Sequence, residues 1–178
     1  SDADALASTI DDVVIRAMGW PVHVADRYRK AVRRRLAPTV MVITEHDRDV
    51  AIGVVSLQPR PVLDGEADHR TVLIGIWMGP HGRGEGHTGR AVRLLADLMI
   101  ANDISLVAET ATTNHAAQHI LERAGMVETG RRVVRLLDGS EVDALVYERF
   151  APRSDRRPTD PVSADGSATG AQWPTWPV

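Results

Sequence analysis

The chain contains no cysteine. A disulfide framework, a thiol nucleophile and a thiolate metal site are therefore excluded. No apolar run reaches transmembrane length, and no signal-peptide core is present, so the expected compartment is the cytoplasm, with no membrane partner. Neither charge sign dominates: the net charge is -3 and the pI about 6.1. An overall electrostatic footprint for nucleic acid is missing. Lysine is nearly absent, with Lys30 alone among 21 basic residues. What the 178 residues do contain, 43% of them hydrophobic and 25% charged, suffices for one soluble domain with a real core.

Residues 1–18 place Leu6, Ile10, Val13, Val14 and Met18 at helical spacing, which predicts one amphipathic helix, broken by Gly19, Trp20 and Pro21. Residues 22–36 repeat the pattern through Val24, Tyr28, Val32 and Leu36. The opposite face, from Arg27 to Arg35, is basic: a solvated face, or a wall that attracts an acidic substrate or cofactor phosphates. Residues 39–44 and 50–57 read as a hairpin around a charged turn. A loop with Pro59, Pro61 and Gly65 follows.

Residues 71–89, TVLIGIWMGPHGRGEGHTG, organise the rest. They read as a buried strand (71–78), a short turn, a glycine-rich loop and a helix start. The helix, 86–102, has a broad apolar face of Ala91, Val92, Leu94, Leu95, Leu98 and Met99. Residues 104–109 form a strand, 114–124 a second helix ended by Gly125, and 127–137 with 142–150 a hairpin turned by Asp138, Gly139 and Ser140. Residues 151–178 hold half of the ten prolines and no periodicity. They form a separate tail, unfolded or extended by composition. Its two tryptophans, Trp173 and Trp176, leave open a tail that docks on its own or a neighbouring subunit, in a monomer or a homodimer.

The glycine loop admits three readings. Gly84 to Gly89 matches G-x-G-x-x-G, with Glu109 about twenty residues on, the dinucleotide pattern. Pro80, His81, Gly82 and Arg83 separate the strand end from the first glycine of that pattern, however, and too little chain remains for a doubly wound sheet. A nucleoside-triphosphate loop needs Gly-Lys-Ser/Thr, and no lysine is present there. The third reading takes Arg83-Gly84-Glu85-Gly86-His87-Thr88 together with Asn114-His-Ala-Ala-Gln-His-Ile-Leu-Glu-Arg-Ala-Gly-Met126. These stretches resemble the acyl-donor loop and the second motif of the GNAT N-acetyltransferase superfamily. The strand running through Ile74, Trp77 and Met78 looks most like its ribosomal-protein-alanine acetyltransferase branch. The resemblance covers about residues 10–150.

It implies an α/β fold with a mixed, mostly antiparallel sheet splayed between its two middle strands and helices on both faces. It implies acetyl-CoA as co-substrate and a primary amine as acceptor, either a protein N-terminal α-amine or a small-molecule amine. A non-catalytic acyl-CoA-binding module is the alternative outside enzymes. The pyrophosphate would lie against backbone N–H groups of Gly84, Glu85, Gly86, His87, Thr88 and Gly89, because glycines let the backbone approach and a helix start favours anions. Arg83 would add charge. The pantetheine arm would pair along Ile76, Trp77 and Met78, with Gly75 as a bulge, and Asn114 would lie beside it. An N–H near Met78 would polarise the acyl oxygen.

The positions at which family members carry a glutamate base, a tyrosine acid and a serine are here Val72, Leu121 and Ala117. Glu109, at a strand end near the splay, is the remaining candidate for base or amine-orienting group; it could equally be a structural carboxylate held by arginine or backbone. His69, His81, His87 and His115 flank the same edge. His115 and His119 lack a third partner for a metal, and none is expected. Tyr147 reads as core or pocket lining. The acceptor-determining loops are expected around Trp20 and residues 58–69. Whether the acyl group is acetyl or longer is not encoded legibly.

Overall fold

The computed structural model describes residues 2–33, 40–45, 50–60 and 68–152. Three helices open the chain: α1 (Asp2–Ser8), α2 (Asp12–Ala17) and α3 (Val22–Arg33). Strands β1 (Val40–Glu45), β2 (Val50–Arg60) and β3 (Asp68–Met78) follow, then a 3-10 turn at Pro80–Gly82 and helix α4 (His87–Ala101). The chain continues with β4 (Ser105–Ala111), α5 (His115–Arg123), β5 (Val127–Arg135) and β6 (Glu141–Arg149). One open six-stranded sheet results, in the order β1-β2-β3-β4-β6-β5. Among the described strands only β3 and β4 run parallel.

The single helix expected over residues 1–18 is two. Asp11 caps α2, its side chain accepting from the Val14 N–H at 3.0 Å. An aspartate that bonds to a nearby backbone N–H ends one helix and starts another. Arg29 of α3 clamps the break by donating to the Ile10 carbonyl at 2.6 Å and to Asp26 at 3.0 Å. Part of the basic face of α3 is thus structural; Arg34 and Arg35 lie outside the described residues. The β2 strand also outruns expectation, continuing through Pro59 to Arg60. Proline is tolerated because its nitrogen lies on the edge of β2 turned towards β1, and among the described residues β1 pairs with β2 only as far as Ser56.

Side-chain alternation divides the sheet's two faces. Val55, Ile74, Leu106, Ala108, Leu145 and Tyr147 pack with Val92, Leu95 and Ala96 of α4 and Leu121 of α5. On the other face Val54 and Trp77 pack with Leu6, Val14 and Ala25 of the first three helices and with Ile10 and Trp20 of the connections between them. Trp20 stacks on Tyr28 at 4.4 Å and meets Trp77 edge-on at 5.7 Å. Its ring is core and fills the seam between α3 and the sheet. Gly19 reaches across to the β5–β6 hairpin: its carbonyl accepts from the Asp138 N–H at 2.9 Å. With φ at 57° and Leu136 packed where a Cβ would stand, only glycine fits there. The α2–α3 corner therefore arches over the sheet towards the ends of β5 and β6.

Leu94 and Leu98 of α4 are exposed, although the sequence predicted them on the apolar face. The sheet covers only the sector holding Val92, Leu95 and Ala96. The tail beyond Pro152 lies outside the described residues, as do most of the loop before β3 and the turn between β1 and β2.

Candidate active site

The parallel ladder between β3 and β4 is short. It runs from Thr71 opposite Ser105 to Ile74 opposite Ala108 and stops. Beyond it β3 continues to Met78 against β2, and β4 continues to Ala111 against β6. Each strand keeps its outer partner and loses its inner one, so the sheet opens into a V. The expected bulge at Gly75 is not what opens it: Gly75 pairs in register with Ser56. Strand β2 does carry a register shift opposite β1, between the partners of Ile43 and Thr44, and another opposite β3 at Pro59 and Arg60.

Ladder alternation tells which backbone groups face the opening. The Gly79 N–H donates to the Ile52 carbonyl at 2.8 Å, continuing the antiparallel ladder. Hydrogen-bonded pairs then fall at Trp77–Val54 and Gly75–Ser56, every second residue. Ile76 and Met78 consequently turn their N–H and C=O groups away from β2, into the V. Trp77 does not: its backbone is taken by β2, and its indole Nε1 donates to Thr9 Oγ1 at 3.1 Å on the buried face. The Trp77 backbone is therefore not among the groups that face the V.

Met78 leads through the 3-10 turn into the glycine loop, and α4 begins at His87 with Gly86 as its N-cap. Gly86 has φ 73° and ψ 6°, a left-handed conformation that spares the loop a strained side chain. A Cβ at Gly84, Gly86 or Gly89 would meet nothing within 4 Å. The loop surface is open above those glycines. The first backbone bond of α4 comes from the Arg90 N–H, to the Gly86 carbonyl at 3.2 Å, so the preceding N–H groups point out of the helix start. This is an anion cradle of the kind a pyrophosphate requires.

Arg83 does not bring its charge to that cradle. Nη1 and Nη2 grip the two oxygens of Asp11 at 2.8 Å each, and Nε donates to the Met78 carbonyl at 3.0 Å. The Arg83 hydrogen bonds hold the Asp11 carboxyl down at about 2, and Asp11 in turn raises Arg83. The charge nearest the cradle is instead Arg90, which sequence reasoning passed over. Its Nη2 donates to His87 Nδ1 at 2.8 Å and to the Glu85 carbonyl at 3.4 Å. A guanidinium only donates, so His87 Nδ1 is the acceptor. The helical spacing of Arg90 from His87 was the available signal.

Glu109 is the first residue of β4 past the ladder, on the same face as Val107 and Trp77. Its Oε2 accepts from Arg132 Nη2 of β5 at 2.6 Å. The carboxylate side chain is 9% exposed and the arginine 41%. Asn114 caps α5, its oxygen accepting from the Ala117 N–H at 3.2 Å, just after β4 ends at the mouth of the V. Gln118 Nε2 pins that end by donating to the carbonyls of Ala111 and Thr112 at 3.2 and 2.8 Å. His81, His115 and His119 are exposed, the side chain of His69 is outside the described ones, and no metal-holding group exists among the described residues.

Residues 1–127 match the acetyltransferase (GNAT) domain. The chain belongs to the GNAT acetyltransferases. No curated protein matches the sequence. Among solved structures, a GNAT-family acetyltransferase from Bacillus anthracis superposes with a TM-score of 0.70 at 15% identity, covering 84% of this chain and 89% of that one. Ribosomal-protein-S5-alanine acetyltransferase from Vibrio fischeri gives 0.65 at 17%, covering 85% and 89%. A putative acetyltransferase from Salmonella typhimurium, solved with its cofactor acetyl-CoA, gives 0.65 at 19%, covering 88% and 93%. At these identities the likeness is one of fold. The protein is a GNAT acetyltransferase of mixed α/β fold built on one open six-stranded sheet. Leu121, standing where many GNAT members have a tyrosine, is buried in the core. Tyr147 is buried beneath α5, donates to Glu122 at 3.3 Å, and has its hydroxyl pushed up by burial and by that carboxylate. It belongs to the core, on the face opposite Glu109.

Proposed function

We propose that the enzyme transfers acetyl from acetyl-CoA to a primary amine, either a protein N-terminal α-amine or a small-molecule amine, with Glu109 receiving the amine. The observation that carries the reading is the V itself, with backbone groups of Ile76 and Met78 on one wall and the Glu109 carboxylate just past the ladder on the other. The Vibrio fischeri neighbour, named for the alanine of a ribosomal protein, supports an N-terminal acceptor as the first to test.

Acetyl-CoA, when bound, supplies the acyl group as an activated thioester. The loop N–H groups from Gly84 to Gly89 hold the pyrophosphate, with Arg90 beside them. Ile76 and Met78 pair with the amide-rich arm, and Asn114 lies at the open end of β4 next to it. The Met78 N–H is the donor for the acyl oxygen, where negative charge develops. Glu109 orients the amine and takes its proton, directly or through water. The nitrogen bonds to the acyl carbon, the carbon–sulfur bond breaks, and the thiolate leaves to be protonated by solvent. Proximity alone supplies roughly 7–11 kcal/mol in favourable systems, so a dedicated acid is dispensable.

The test is release of free CoA thiol with a panel of N-terminal peptides and small amines. Turnover with a primary amine is expected. Glu109→Gln should lower it at neutral pH by roughly a hundredfold, a usual effect for a general base, while calorimetric acetyl-CoA binding persists. Unchanged turnover across pH removes Glu109 from the mechanism. Binding with no thiol release from any amine supports an acyl-CoA-binding module and ends the proposal.

A further inference from the structure

We infer that the acceptor carries an anionic group close to its amine and that Arg132 receives it. This rests on the reading of Glu109 as the group that receives the amine. The two side chains come from strands that are not neighbours, since β6 lies between β4 and β5. The register shows how they meet. Glu109 lies opposite Val146, Arg132 opposite Ala144, and Ala111 opposite Ala144 from the other side. Arg132 therefore reaches across β6 over alanine, where a larger residue would block it.

Arg132, an exposed residue, is used differently from the half-buried Arg83, Arg149 and Arg29. Arg83 engages Nη1, Nη2 and Nε. Arg149 spans the Ala124 carbonyl and Asp97 with its two terminal nitrogens, at 2.8 and 2.7 Å. Arg29 likewise divides its two between Asp26 and Ile10. Those three are struts, their forks filled by the protein. Arg132 makes one bond, through Nη2, among the described residues. Nη1 and Nε remain for another acceptor, on a side chain 41% exposed whose partner carboxylate is 9% exposed. A guanidinium with donors left over is suited to a carboxylate or phosphate.

The pair thus presents a negative end at the V and a positive end beside it. A partner of complementary polarity has an amine and an anion a few bonds apart. Two sources have that chemistry: a free amino acid, and a peptide N-terminus followed by an acidic side chain. Either places the amine at Glu109 and the anion at Arg132. Charge complementarity of this kind acts mainly on which acceptor is chosen.

The experiment measures kcat/KM by thiol release for matched acceptors: amino acids against their amides, and short peptides with Asp or Asn at the second position. The anionic member is expected to be favoured by roughly tenfold, the factor that corresponds to about 1.4 kcal/mol. Preference confined to the first pair identifies a free amino acid; preference confined to the second identifies an acidic N-terminus. Arg132→Gln should bring the ratio to about one through the acceptor KM, and Arg132→Lys should recover part of it. A ratio near one in the unmodified enzyme, with neutral amines turned over well, overturns this inference and leaves the amine reading standing. A ratio that survives Arg132→Gln also overturns it. No turnover with any amine overturns both.

Discussion

At the scale of single residues, the informative atoms are the two oxygens of Asp11. One accepts from the Val14 N–H and from Arg83, the other from Arg83. Helix cap and ion pair share one carboxylate, so its charge bears on stability. Its folded pKa, about 2, lies below the ordinary 3.8. A depressed carboxylate contributes stability above its unfolded pKa and loses it as pH falls through the folded value. The window here is therefore pH 4 down to 2. Asn caps a helix as well as Asp, so Asp11→Asn isolates the charge. It should cost about 1 kcal/mol at pH 7, a figure discounted for the partial exposure of the pair. The gap from the unmodified protein should shrink between pH 4 and pH 2.5 in urea melts; an equal gap at every pH would assign the loss to packing. Arg83 was legible as a loop residue, but its charge goes 72 positions back along the chain, and no local spacing signals that. Glu109 was legible as a strand-end carboxylate; Arg132, 23 positions on, was not.

At the scale of elements, the glycine loop and the start of α4 could be read because their residues are consecutive and their chemistry is local. The hairpin of β5 and β6 was readable for the same reason, its turn residues standing together. The first helix was misjudged because apolar spacing continues across Thr9, Ile10 and Asp11, while the cap and its tertiary partners break the backbone. The breadth of α4's apolar face was overestimated because periodicity shows an apolar sector but not how much of it a neighbour covers. Strand β3 teaches the same lesson with period two. Sequence marks alternating residues, whereas which edge faces the V follows from where β2 pairs. The alternation predicts a pattern in hydrogen exchange. Adding acetyl-CoA should slow exchange at the amides of Ile76 and Met78 and leave that of Trp77, already bonded within the sheet, unchanged. Protection gained at Trp77 alone would reverse the assigned parity.

At the scale of the whole molecule, the sheet is two halves joined by a four-residue parallel ladder, from Thr71–Ser105 to Ile74–Ala108. The α4 and α5 core beneath and the Gly19–Asp138 bond above add to that junction. A ligand that bridges the V acts on both halves at once. Acetyl-CoA at a hundred times its Kd should add about 2.7 kcal/mol. For a domain of this size that is a rise of roughly 5–10 °C in Tm by calorimetry. Acetate should give none, and a protein unmoved by acetyl-CoA would contradict the proposed donor site.

The sequence by itself determined the order of elements from α3 onward, the glycine-rich loop and the turn glycines, since each depends on residues within a few positions of one another. The tertiary structure alone decided where β3 and β4 part, which backbone groups face the opening, and that Arg83 is neutralised while Arg132 keeps donors to spare. Those facts depend on pairing and on contacts between distant segments, and neither is written in any local pattern. The stretch from Thr71 to Gly89 carries the loop proposed to hold the acyl donor. The strands and helices packed around it decide what the acceptor meets.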